Sequence, residues 1–326
     1  MVCYIDGKQI WGFIWKFYKR YYTAGVPMNQ DQIEHAALLR DAFNDYLVHV
    51  HDLPLNPGGR FLGYDFDFLN SHKWHAFAEA MIRCDLRELT NLINGWNSSL
   101  CRWHAWGMVL DGRDEREAWE LRSEFLDSLA HECLLMPATI RDTIVSVATA
   151  AFHQVRLSID RSYRDYLEGD SKTPYERSKH LNRKQKERQL SRIVQVWPES
   201  SRLLEALREI NTRDYVEATY DYRNLTSHSI GPRLGIGHTR TVTRIVKQAQ
   251  VLEEVAGGGL VLANVPGKVS VSYAYGGTPP LDIETVRVAN LGQYEKARLC
   301  YIEFRALLEA AVGEIAHVKI PPNESS

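Results

Sequence analysis

The sequence has no CxxC pair, and its five cysteines (Cys3, Cys84, Cys101, Cys133 and Cys300) are odd in number and scattered. That argues against a disulfide framework and against a structural zinc site; reduced, mostly buried thiols are expected instead. No run of about 18 apolar residues occurs, so no transmembrane helix is expected. The opening stretch MVCYIDGKQIWGFIWKFYKRYY lacks the charged start, clean apolar core and small-residue cleavage site of a secretory leader, and the expected location is cytoplasmic. Charge of one sign is lacking too: the net charge is −2. No global positive field therefore advertises nucleic acid, and any such contact must come from a local patch. There is no HExxH and no nucleophile elbow, and the glycines 257–259 are followed by no GK[ST]. His49, His51 and Asp52 tempt as ligands but lack a third cluster at a recognisable spacing. No metal and no cofactor are expected.

What is present is helix. The chain has 326 residues, 44% of them hydrophobic, enough to bury a full core. Apolar residues recur at three- and four-residue spacing over 8–22 and 30–50. Prolines and glycines make 52–63 a loop. Helical patterns return over 72–97, 114–134 and 138–168, the last opened by Thr139 as cap with Asp142 three residues on. Turn residues fill 169–176. A charged helical stretch follows, then another helix from Ser201 to about Ser227 with a break at Asn211. Past Ile230 the pattern changes to alternation, and a hairpin or three-strand antiparallel unit is expected within 241–288. A last helix is expected at 291–317. The expected architecture is mostly α: an N-terminal helical region at 1–135, a helical bundle at 136–318 carrying the β insertion, and a disordered tail at 319–326.

One stretch carries chemistry. Asp221 to Arg233 reads DYRNLTSHSIGPR. Treated as one helix, 213–228 puts Tyr215, Ala218, Tyr222 and Leu225 on a core stripe. Glu217, Tyr220, Asn224 and His228 then share the opposite face, with Arg223 at its edge. An arginine offers a planar fork of donors for phosphate oxygens, and a histidine exchanges a proton with a hydroxyl near neutral pH. Together these suffice for cleavage of RNA by its own 2′-hydroxyl without a metal. Asn224 would position His228 or the substrate; His228 would be base or acid. Ser227, Arg233 and His238 are supporting candidates, the last two repeating the spacing in a glycine-broken loop. The basic run through Arg183, Lys184, Lys186 and Arg188 offers an RNA-backbone track.

Arg223-Asn224-Leu225-Thr226-Ser227-His228, late in a bundle helix, resembles the R-x(4–6)-H motif of the HEPN superfamily, in which a polar residue often follows the arginine. The resemblance covers about 136–318. It implies a small helical bundle and a metal-independent ribonuclease activity, in toxin–antitoxin, anti-phage or stress settings. It also implies a homodimer in which two copies of the motif form one cleft, and a possible antitoxin or other regulatory protein. Catalytic roles fall on Arg223, Asn224 and His228. Some active relatives carry a tyrosine two residues after the histidine; here that position is Ile230, so its role does not carry over. The alternative is a catalytically silent helical module that binds RNA or protein.

Overall fold

A computed structural model of the chain describes residues 29–52, 61–171, 173 and 175–316, with side chains left aside at 51 and 52. The helix expected at 8–22, most of the loop at 52–63, the tail at 319–326, and the His51 and Asp52 side chains lie outside these described residues.

Helix α1 spans Gln30–Asp52 and α2 spans Ala78–Asp111. The second runs 14 residues beyond the expected end at 97. The reason is its aromatic stripe: Trp96, Leu100, Trp103, Trp106 and Val109 continue the helical spacing and are all buried. Trp106 is sandwiched between Tyr46 of α1, 4.6 Å away, and Phe125, 4.3 Å away. Asp114 then caps α3 (Glu115–Leu121) by accepting from the Glu117 N–H. A single π turn, Arg122–Leu126, joins it to α4, Asp127–Ile159.

Helix α4 corrects two expectations. No cap exists at Thr139, because the helix runs straight through Pro137; Thr139 sits in mid-helix and its hydroxyl bonds back to the Leu135 carbonyl. The boundary expected at 135/136 thus falls inside one helix, and buried residues from Ala42 to Ile315 form one cluster. A proline in a helix leaves the carbonyl four residues earlier without its N–H partner. Here that carbonyl belongs to Cys133, and the side-chain amide of Asn290 supplies the donor, 2.8 Å away. Asn290, fully buried, also accepts from Trp96 Nε1 at 2.9 Å and donates to the Tyr215 hydroxyl at 2.8 Å. One amide thereby ties together four parts of the bundle at its weakest backbone point.

The stretch Glu115–Ile159 is long and apolar enough by composition to cross a membrane, yet 61% of its apolar window is buried within the protein. Its hydrophobicity serves the core.

Four short helices follow. Asn182 opens α5 (Arg183–Val194) with a reciprocal capping box to Gln185. Helix α6 spans Ser200–Arg208, and Asn211, at φ +54°, breaks the chain where expected. Helix α7 (Arg213–Ala218) and helix α8 (Tyr222–His228) come next. Strands β1 (Val242–Val255) and β2 (Gly259–Tyr275) pair antiparallel across a turn whose Gly257 and Gly258 both have positive φ. The sheet has two strands, without a third. Helix α9, Ile283–Val312, is capped by Asp282 and returns through the bundle between α2, α4 and α6. It starts eight residues before the expected position, since Val286 and Asn290 already belong to the buried face.

Candidate functional site

The single helix expected over 213–228 does not form. Tyr220 and Asp221 adopt left-handed backbone, φ +50° and +52°, which β-carbon-bearing residues rarely sustain in a helix. Thr219 turns its hydroxyl back onto the Tyr215 carbonyl, and the Asp221 N–H reaches the Val216 carbonyl at 2.7 Å. The chain therefore leaves α7 in a tight turn and restarts as α8. Two tyrosines hold the pair on the bundle. Tyr215 bonds to Asn290, and Tyr222 bonds to His131 Nδ1 at 2.9 Å. Burial pushes both phenols above their ordinary ionisation range. The core stripe is accordingly Tyr215, Thr219 and Tyr222, while Ala218 is exposed.

The break regroups the polar face. Glu217 stays on α7, exposed, and pairs with Arg213 at 2.6 Å. Tyr220 is 42% exposed in the turn itself. Neither joins Asn224 and His228 as helical geometry predicted, because the residues between them no longer share a helix axis. Asn224 gives its amide to the Asp221 carboxylate at 3.0 Å, so the expected use of that amide to orient His228 gives way to an N-terminal clasp on α8.

Next to this clasp lies a cleft of about 490 Å³. Arg223 and Asn224 of α8 line it together with Arg183 and Lys186 of α5, and its other polar lining includes His180, Asp142 and Asp221. The basic run and the R-x4-H stretch, some forty residues apart, thus meet on one surface. Helical spacing sorts the run: positions 183 and 186 face the cleft, whereas Lys184 and Arg188 are exposed elsewhere on α5. Arg183 is committed to Asp142 through two bonds of 2.7 and 3.1 Å, which raise its guanidinium further above its ordinary range. Three cations face two carboxylates, Asp142 and Asp221, leaving the wall one positive charge. Lys186 is half-buried, and its ammonium has no hydrogen-bond or ion-pair partner among the described residues.

His228 is the last residue of α8, exposed, and does not line the cleft. It lies five helical steps from Arg223, about 140° around the axis and about 7.5 Å along it. Beyond it, Ser229 accepts a hydrogen bond from Arg240, a cation that no sequence motif singled out. Arg240 is held at φ +57°, just before β1. Ser227 is exposed beside His228. Arg233 and His238 are both exposed on the loop after α8; Arg233 lies along Gly237, where a β-carbon would come within 3.0 Å of its Cδ. Neither lines the cleft.

A second polar cluster sits at the end of α4. His153, 3% exposed, bonds the Tyr163 hydroxyl through Nδ1 and Asp165 through Nε2, both at 2.9 Å, and Arg156 stacks 4.1 Å from the Tyr163 ring centre. It clasps the turn after α4 to the helix. Among the described residues no three histidine, cysteine, aspartate or glutamate side chains gather as a metal-binding group. Comparison of the chain with protein-family models, with curated proteins and with solved structures returns no match.

Proposed function

We propose that the protein is a metal-independent endoribonuclease that acts as a pair of chains. The observation that carries the reading is the convergence of Arg223 and Asn224 with Lys186 and Arg183 on one cleft. Lys186 and Arg223 hold phosphodiester oxygens, Lys186 as a point charge and Arg223 through its planar fork. Arg183, already neutralised by Asp142, shapes the wall more than it attracts the strand. Arg223 stabilises the charge that develops on the phosphorus oxygens as the ribose 2′-hydroxyl attacks. As the 2′-oxygen bonds to phosphorus the P–O5′ bond breaks, leaving a 2′,3′-cyclic phosphate; His228, exposed at the end of α8, either takes the 2′ proton or gives one to the departing 5′ oxygen. Because the arginine and histidine diverge around α8, a second copy completes the constellation, its own α8 bringing a histidine to the first copy's cleft. The 2′-hydroxyl is the nucleophile, so DNA is not cut.

The exposure of His228 outside the cleft, and the commitment of Asn224 to Asp221, favour a second reading: a module that holds RNA without cutting it. One experiment separates the two. The purified chain is incubated with mixed RNA in EDTA, and the 3′ ends are analysed. Cyclic 2′,3′-phosphate ends that vanish in His228→Ala and in Arg223→Ala support the nuclease. RNA retained by the chain and left intact supports the binder. Cleavage unchanged in His228→Ala removes this site from consideration.

A further inference from the structure

Strands β1 and β2 form a ribbon in which no residue is buried. Fourteen residues of β1 reach about 45 Å from end to end. An isolated two-stranded ribbon is marginal in water; this one exposes Val246, Val251 and Leu252 on β1 alone, at 54%, 45% and 63%. Its two outer edges differ. The β2 edge is interrupted: between Asn264 and Val269 the ladder skips four residues, including Pro266, which has no N–H, and Gly267 at φ +69°. That irregularity blunts the edge against further pairing. The β1 edge contains no proline or glycine over its whole length; its ladder to β2 skips only Ala249, and so long an edge with a single unpaired residue is a template for another strand.

The charges of β1 are polarised along it. Arg244 and Lys247 lie in the half nearer the bundle; Glu253 and Glu254 lie in the half nearer the turn. An antiparallel copy reverses the order, so the strand is complementary to itself. We infer that β1 pairs with β1 of a second copy, antiparallel about a two-fold axis at Ala249, to give a four-stranded sheet with β2 outermost on each side. In that register Arg244 faces the second copy's Glu254, Val246 faces its Leu252, and Lys247 lies one diagonal step from its Glu253. Two glutamates at the turn end make the same edge a poor track for a polyanion. The inference stands apart from the ribonuclease reading, since no residue of the ribbon lines the cleft.

The axis position supplies the test. Directly opposed residues of antiparallel strands have Cα atoms about 4.5–5.5 Å apart, within disulfide range. The full chain carries Ala249→Cys, with the exposed Cys84 replaced by serine and the same chain without A249C as the blank. Mild oxidation is expected to link two copies through position 249. Arg244→Glu with Lys247→Glu, or Glu253→Lys with Glu254→Lys, each in the A249C chain, is expected to lower the linked yield by about tenfold or more, as like charges replace opposite ones across the pair. These positions touch no core, so folding is retained, which circular dichroism verifies. An equal mixture of the two reversed chains is expected to regain the link, because each copy's reversed half then meets its opposite. The inference is overturned by absence of a 249–249 link, by a link indifferent to the reversals, by a mixture that fails to regain it, or by a ribbon that binds RNA but not its own copy.

Discussion

Asn290 is the point at which sequence, fold and site can be tested together. Replacing it by leucine keeps its approximate volume and deletes three hydrogen bonds: from Trp96 Nε1, to the Cys133 carbonyl, and to the Tyr215 hydroxyl. Each buried group left unpaired costs about 1–3 kcal/mol. The sum is about 3–9 kcal/mol, a large part of the roughly 5–15 kcal/mol that holds a domain folded. Urea denaturation followed by circular dichroism measures it, with Val288→Ala, at an exposed position of the same helix, as a control expected within about 0.5 kcal/mol of the parent. The sharper measurement is a double-mutant cycle with Pro137→Ala. Alanine at 137 restores a backbone N–H to the Cys133 carbonyl, so one of the three orphaned groups regains a partner. Asn290→Leu is then expected to cost about 1–2 kcal/mol less in the Pro137→Ala background. A cycle additive to within about 0.3–0.5 kcal/mol would refute the idea that this amide exists to repair the proline gap.

Two further expectations follow from the cleft and the core. Lys186→Ala and Arg223→Ala should each weaken RNA binding across sequences and lower the salt slope of log K by about one, with Lys184→Ala, off the cleft, changing the slope far less; filter binding between low and moderate salt decides this. Burial raises the Cys300 thiol and the Tyr294 phenol to about 12 and shifts Cys133 and Tyr215 upward as well. A group whose folded pKa is raised stabilises fully below its unfolded value, so stability should hold at neutral pH and fall between about pH 9 and 12, as unfolded thiols and phenols ionise first. A melting temperature that stays flat over that window contradicts the burial of these groups.

How far the sequence is legible depends on which interaction decides each element. Helical spacing located α1, α2, the start of the α5 to α7 region and α9, because amphipathic stripes are local and the bundle only has to accept them. It failed where a distant partner decides. Pro137 reads as a helix boundary from its neighbours alone; the donor that meets the carbonyl it orphans comes from Asn290, more than 150 residues away and without a local signature. Thr139 and Asp142 look like a capping box, yet Asp142 serves Arg183 and Thr139 lies in mid-helix. The break at Tyr220–Asp221 was hidden for the opposite reason. No glycine or proline marks it, and the left-handed turn is held by Thr219 and by the buried tyrosines on either side. That unmarked turn governs the site. Had the helix run on, Glu217 and Tyr220 would share a face with Asn224 and His228; with the turn, α8 restarts on a new axis, Arg223 and Asn224 line the cleft of Lys186, and Glu217 and Tyr220 are parted from them. The motif was therefore legible as residues and not as geometry. The turn leaves one relation untouched: Arg223 and His228 lie on the same seven-residue helix, about 140° apart by helical spacing alone, and it is this divergence that makes the proposed chemistry call on a second copy for the missing partner.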